Sequence, residues 1–386
     1  MKFAERVSGL PPYVFAKMAK RIADRAARGD KVINFGMGDP DLATPDYIIE
    51  DLCRAAHDPK THRYPSYFGL PALRTAIADW YRQRFDVTLD PTTEVLPLIG
   101  SKEGIANIAL AFCDPGELAI LPDPGYPVYL YGAIMADGRT YDMPLLAERG
   151  WLPDLNALPL AVREQGNVMW LNYPNNPTGA TADLAFFEEV IDFARKYDII
   201  ICHDNPYSDV TYDGYRAPSI LQVPGAREVA VEFNSLSKTY NMAGARIGMV
   251  VGNPLVIDAL SRIKSNIDSG IPTFVQQAAI TALTGDQSWI CDRNKIYERR
   301  RDLICTALQK AGIPATPPKA SLYIWGPVPA GMTSAEFADR LLEEAAIVVT
   351  PGTSFGDHGE GYFRLSLTVP DADVALAAER LAKFRL

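Results

Sequence analysis

Ser235-Leu236-Ser237-Lys238-Thr239-Tyr240-Asn241-Met242-Ala243-Gly244-Ala245-Arg246 sets one lysine among small hydroxyl residues, directly after the apolar run Val229 to Phe233. Ile247 to Val251 is the next apolar run, so the segment reads as a turn between two buried strands. A lysine amine on a tight turn can form a Schiff base with a carbonyl. Ser235, Ser237 and Arg246 can hold a phosphate, because a guanidinium offers a planar fork of donors to phosphate oxygens. Pyridoxal 5'-phosphate (PLP) carries both an aldehyde and a phosphate, and its ring serves as an electron sink. An ordinary solvated surface lysine would not need these neighbours.

Outward from this turn, short apolar runs alternate with longer amphipathic ones, the βαβ pattern of a mostly parallel sheet in an α/β fold. Strands are expected at Leu118–Leu121, Val168–Asn172, Ile199–His203, Val229–Asn234 and Ile247–Val251. Helices are expected at Pro71–Arg84, Lys102–Cys113, Asp183–Tyr197, Pro254–Ser265, Thr273–Leu283 and Ser288–Ala311. The last is long enough to link two domains. After Pro317 the pattern changes. Strand-like Ser321–Trp325 precedes a helix near Ser334–Ala346, then Ile347–Thr350, Tyr362–Thr368 and a helix from Asp371, which read as a smaller α+β domain.

At 386 residues the chain has room for two domains. Its 48% hydrophobic and 22% charged residues are ordinary for a globular enzyme. A net charge of −9 argues against nucleic acid as a partner, since a phosphate backbone needs a basic face. A small acidic substrate held by a few arginines remains compatible with it. No apolar run approaches the ~18 residues of a membrane helix, and the N-terminus has no signal-peptide core. Five cysteines without a Cys-x-x-Cys pair read as free thiols, so a cytoplasmic protein is expected. The four histidines form no metal-spaced set, and no metal is expected.

Four further stretches carry chemistry. Gly100-Ser101-Lys102-Glu103-Gly104 opens a helix after the apolar Val95–Ile99, and a helix N-terminus presents unpaired N–H groups to an anion. Alone this is weak, because Ser is a common N-cap. His203-Asp204-Asn205-Pro206-Tyr207 ends an apolar strand, at the edge where α/β sheets bind ligands. Asn172-Tyr173-Pro174-Asn175-Asn176-Pro177-Thr178-Gly179 follows another strand and would otherwise be a plain turn. Arg364, between Phe363 and Leu365, sits in an alternating strand that holds it in one place.

Taken in order, Asn176, Asp204, Lys238 and Arg246, with spacings of 28, 34 and 8, resemble the class I/II (fold-type I) PLP-dependent aminotransferases. The resemblance runs from Gly36 to Arg364. Gly100–Gly104, Asp123–Tyr129 and Lys264–Gly270 look most like its LL-diaminopimelate and alanine aminotransferase branch. It implies a large domain with a mostly parallel seven-stranded sheet and a smaller α+β domain. The N-terminal segment 1–45 would pack with the small domain, 46–285 would form the PLP-binding domain, and 286–386 the linking helix and small domain.

The resemblance also implies roles. Lys238 holds PLP as a Schiff base and serves as the general base of a ping-pong cycle. Asp204 pairs with the pyridine nitrogen, Tyr207 and Asn176 with the phenolate oxygen, and Tyr126 stacks on the ring. Ser101, Lys102, Ser235, Ser237 and Arg246 surround the phosphate. Tyr64 reaches it from a partner subunit, which implies a homodimer with active sites at the interface. Arg364 clamps the substrate α-carboxylate near Gly38. The implied reaction moves an amino group from an L-amino acid to a 2-oxo acid such as 2-oxoglutarate or pyruvate.

Two features depart from the family. Ala245 stands where a Trp is common, and Tyr67-Phe68 lacks the acid that often meets the distal ammonium of diaminopimelate. Monoamino donors are therefore expected to be used at least as well as LL-diaminopimelate. The same cofactor residues would also serve a narrower LL-diaminopimelate aminotransferase or a C–S β-lyase, of which only transamination leaves pyridoxamine phosphate. A non-catalytic PLP-binding regulator is the alternative from another class. Such regulators usually carry an added DNA-binding domain, for which no room is expected before Gly36, and a carrier or scaffold that merely kept the fold would be expected to lose Lys238 or Asp204.

Overall fold

Seven short strands pair into one sheet in the computed structural model, which describes residues 3–10, 22, 25, 27 and 29–385. Numbered along the chain, the strands are β1 (Ile33–Asn34), β2 (Val95–Leu98), β3 (Leu118–Asp123), β4 (Arg139–Pro144), β5 (Gly166–Asn172), β6 (Ile200–Asp204), β7 (Ala230–Ser235) and β8 (Gly248–Gly252). They continue with β9 (Tyr323–Pro327), β10 (Ile347–Val348), β11 (Thr350–Pro351) and β12 (Tyr362–Ser366). The seven-stranded sheet has the order β2-β8-β7-β6-β5-β3-β4. Its pairings are parallel except those of β8, which runs against both β2 and β7.

Alternation along the strands feeds a core on each face of this sheet. Trp170, Cys202, Val231 and Phe233 pack on one side with Ile105 and Ile108 of the helix Ser101–Phe112 and with Leu260 of the helix Pro254–Ile267. Met169, Leu171 and Ile201 pack on the other with Ile77 and Tyr81 of the helix Pro71–Phe85 and Phe187 of the helix Leu184–Tyr197. A third core joins Ile324, Phe363 and Leu365 to the helices Ser288–Lys310, Ser334–Ala345 and Asp371–Lys383. It lies under the three-stranded antiparallel sheet β11-β12-β9.

The segment 1–45 is only partly described, and residues 1–2, 11–21, 23–24, 26 and 28 lie outside the described residues. β1 pairs in parallel with β10, with Ile33 opposite Ile347, so this part lies beside the small layer. Gly9, by contrast, faces Ile134 in the helix Val128–Met135, which packs on the large sheet.

Register sets the site. Asn172 at the end of β5 lies opposite Asp204 at the end of β6, and Asp204 lies opposite Phe233, two residues before the end of β7. The sheet thus brings the Asn172–Gly179 loop, Asp204 and the Ser235–Arg246 turn to one edge, where parallel sheets bind ligands.

Candidate active site

Lys238 sits in the short helix Leu236–Thr239, whose N-cap Ser235 accepts a hydrogen bond from Ser237 N at 3.2 Å. Lys238 Nζ donates to Gly38 O at 2.8 Å, across the boundary with the small layer. Loss of water around the amine pushes its pKa below the usual lysine range; Arg364 and Arg246 push the same way, against Tyr323 and Asp39. A lowered lysine pKa favours the neutral amine that nucleophilic chemistry needs.

Gly38, Ser101, Lys102, Tyr126, Asn176, Asp204, Tyr207, Ser235, Ser237, Lys238, Arg246 and Arg364 line one cavity of about 430 Å³. Tyr64 does not line it and is 90% exposed. At one end, Ser101 opens its helix after Gly100, which has φ 73°. A Cβ on Gly100 would stand 2.5 Å from Arg246 Nη2, and one on Gly248 would stand 2.6 Å from Ser101 N. Both glycines therefore let an arginine and a helix N-terminus crowd together. Arg246 itself takes φ 53°, a conformation that costs a bulky residue energy and persists where surroundings enforce it.

At the other end, Asp204 is buried. Its Oδ2 accepts from Tyr129 OH at 2.7 Å, whereas Oδ1 has no hydrogen-bond partner. Burial pushes its carboxyl up from 3.8 to about 6, with the Tyr129 bond, His203 and Lys238 acting in the opposite direction. Asn172 Nδ2 donates to Asp204 O at 2.6 Å, and Asn172 Oδ1 accepts from Asn176 N at 2.7 Å. His203, on the opposite face of β6, bridges Glu232 Oε2 at 2.9 Å and Tyr173 O at 3.0 Å and so fixes the same loop from behind.

Arg364 is buried, and its fork donates to Asn176 Oδ1 and Gly36 O, each at 2.7 Å. Its guanidinium lies 4.2 Å from the Tyr323 ring centroid and 4.6 Å from that of Phe355. Tyr323 also meets Tyr207, hydroxyl to hydroxyl, at 3.1 Å.

These residues fit PLP. An unpartnered buried carboxylate oxygen suits a ring N–H, an arginine beside a helix N-terminus suits a phosphate, and a neutral-leaning amine lies in the same cavity. Among the described residues, no group of three or more side chains is arranged to hold a metal ion.

Sequence reasoning missed Tyr129, Tyr323 and Asp39, all in or against this cavity. Tyr129 lies three residues after Tyr126, in the first turn of the helix Val128–Met135, and the two rings meet edge to face at 5.7 Å. Tyr323 carries no such signal, because a tyrosine in an apolar strand is ordinary core.

The description of the family aminotransferase class I and II matches residues 30–381. An LL-diaminopimelate aminotransferase of Dehalococcoides mccartyi is 54% identical over 385 residues, covering 100% of this chain and 99% of that one. One of Moorella thermoacetica is 53% identical, covering 99% of this chain and 98% of its own length. Among solved structures, substrate-bound BacF from Bacillus subtilis superposes with a TM-score of 0.95 at 36% identity, covering 99% of this chain and 98% of that chain.

Proposed function

The chain belongs to the class I and II aminotransferases, and from that premise we propose that Lys238 is the residue to which its cofactor is joined. The enzyme is PLP-dependent and moves an amino group from an amino acid to a 2-oxo acid. The observation that carries the assignment is the buried Asp204 Oδ1, without a partner, in one cavity with the Lys238 amine.

Bound PLP supplies an electron sink for the charge left when a Cα–H bond breaks. Asp204 would keep the ring nitrogen protonated. Tyr207 and Asn176 would hold the ring oxygen, and Tyr126 would cover the ring face. Ser101, Lys102, Ser235, Ser237 and Arg246 would hold the phosphate. Arg364 turns its fork from Gly36 O and Asn176 to the substrate α-carboxylate. Lys238 Nζ would take the Cα proton as general base. In the structure the Lys238 amine rests 2.8 Å from Gly38 O.

For the substrate we propose LL-diaminopimelate. The names of relatives more than half identical support it. They outweigh the missing acid at Tyr67-Phe68, because Asp39, an exposed carboxylate lining the same cavity, offers a counter-charge to a second ammonium. A steady-state comparison is expected to give LL-diaminopimelate a kcat/KM at least about tenfold above alanine, glutamate, aspartate and methionine, the scale of one charged hydrogen bond. Equal use of a monoamino donor would restore the reading made from Tyr67-Phe68.

The working unit is a homodimer in the cytoplasm, with domains at 1–45, 46–285 and 286–386. Tyr64, Tyr67 and Phe68 support the dimer, as an exposed aromatic group of the kind that a second subunit covers. All five cysteines are unpaired, which suits a reducing compartment. Among the described residues no helix is long and apolar enough to cross a membrane. Mixing inactive Lys238→Ala chains with inactive Tyr64→Ala chains is expected to restore activity, because each mixed dimer regains one whole site. A fully active monomer at low concentration would contradict the dimer.

A further inference from the structure

We propose that Tyr323 is a positioning residue that couples the two halves of the active site, its hydroxyl orienting Tyr207 and its ring orienting Arg364. The inference rests on the roles proposed above for those two residues. Tyr323 lies on β9, in the small layer, and is 3% exposed. Three contacts converge on it. Its hydroxyl stands 3.1 Å from the Tyr207 hydroxyl. Its ring lies under the Arg364 guanidinium at 4.2 Å, with Phe355 on the same cation at 4.6 Å. A Cβ on Gly38 would stand 2.1 Å from its oxygen, so the hydroxyl occupies the space that a side chain there would fill.

Counting protons gives the pair a direction. Each phenol has one hydrogen to donate. Burial, and then Tyr323, push the Tyr207 pKa well above the usual range, so Tyr207 stays protonated and able to donate. If Tyr207 gives its hydrogen to the cofactor's ring oxygen, its own oxygen must accept, and Tyr323 is the donor against it. The chain therefore runs from Tyr323 to Tyr207 to the ring oxygen, and each bond polarises the next. Without the Tyr323 hydroxyl the ring oxygen is held less firmly and becomes more basic. The Schiff-base linkage at Lys238 then keeps its proton to higher pH. The ring works separately. A cation between two aromatic faces keeps its fork aimed, and losing one face loosens the carboxylate clamp.

The test uses the PLP-loaded enzyme with Tyr323→Phe and Tyr323→Leu, and Tyr212→Phe as a control. Tyr212 OH donates to Ser321 O at 2.7 Å, close to the same strand, and Tyr212 does not line the cavity. The readouts are the pH midpoint of the linkage's absorbance change and the KM for the amino donor. Tyr323→Phe is expected to raise the midpoint by on the order of half a pH unit, with KM within about twofold of wild type. Tyr323→Leu is expected to raise the midpoint equally and also raise KM about tenfold. Tyr212→Phe is expected to move neither. An unmoved midpoint in Tyr323→Phe overturns the proposal. So does an equal shift in Tyr212→Phe, or a Leu variant whose KM matches that of the Phe variant. A wild-type protein without the absorbance band would instead overturn the Lys238 assignment.

Discussion

Lys238→Ala is expected to lower turnover by more than about 10⁴-fold and to abolish the covalent hold on PLP. Among the described residues, Lys102 is the one other lysine lining the cavity, and it is exposed and lies in the first turn of the helix at the phosphate end. The fold should tolerate the change. The Lys238 side chain donates a hydrogen bond to Gly38 O, and its amine is already disfavoured as a cation by desolvation. The rate is read in steady state, and the covalent hold from the visible absorbance band that disappears on borohydride treatment of wild type. Transamination at the wild-type rate in this variant would remove Lys238 from the reaction.

Asp204 should show the second largest effect, with opposite signs for activity and stability. Asp204→Ala is expected to keep PLP bound through its phosphate and to slow Cα-proton removal by several orders of magnitude. Without that carboxylate the ring nitrogen loses the partner that keeps it protonated, and the electron sink weakens. In the cofactor-free protein the same carboxylate is a burden. Burial raises its pKa from 3.8 to about 6, so its protonated form is favoured in the native state. That contribution is fully present below about pH 4 and is lost as pH rises to about 6. At neutral pH the native state then carries a charge penalty on the order of 3 kcal/mol. Asp204→Asn, similar in shape and uncharged, should therefore raise the Tm of cofactor-free protein by a few degrees at neutral pH and leave it unchanged below about pH 4. Scanning calorimetry at the two pH values checks the sign. A lower Tm for the Asn variant at neutral pH would show that Asp204 has a partner that offsets its burial.

Much of the site was legible because one sheet edge collects it. Asn176, Asp204 and Lys238 each follow an apolar run that became β5, β6 or β7. Where the sequence misled, local chemistry accounts for it. β4 reads as Arg-Thr-Tyr-Asp-Met-Pro, too polar to suggest a strand, and it is tolerated because it lies at the sheet edge. The expected strand from Ser321 starts instead at Tyr323, because Ser321 takes φ 78°. Ile347–Thr350 splits in two, Ile347–Val348 pairing with β1 and Thr350–Pro351 with β12. The helix near Ser334–Ala346 ends one residue early because Ala346 turns left-handed, at φ 51°. Tyr323 was beyond reach for another reason. Its role depends on Arg364, which the pairing of β12 with β9 sets beside it, and on Tyr207, which only the packing of the small layer against the large one brings within contact.

The aminotransferase family assigns the reaction, so the claim most in need of a direct measurement is the point of attachment. Reduction of the PLP-loaded protein with borohydride, followed by proteolysis and mass spectrometry, locates it. The expected result is a single phosphopyridoxyl adduct on Lys238, within the peptide that contains Ser235 to Arg246. An adduct on Lys102 or any other lysine, with Lys238 unmodified, would contradict the account.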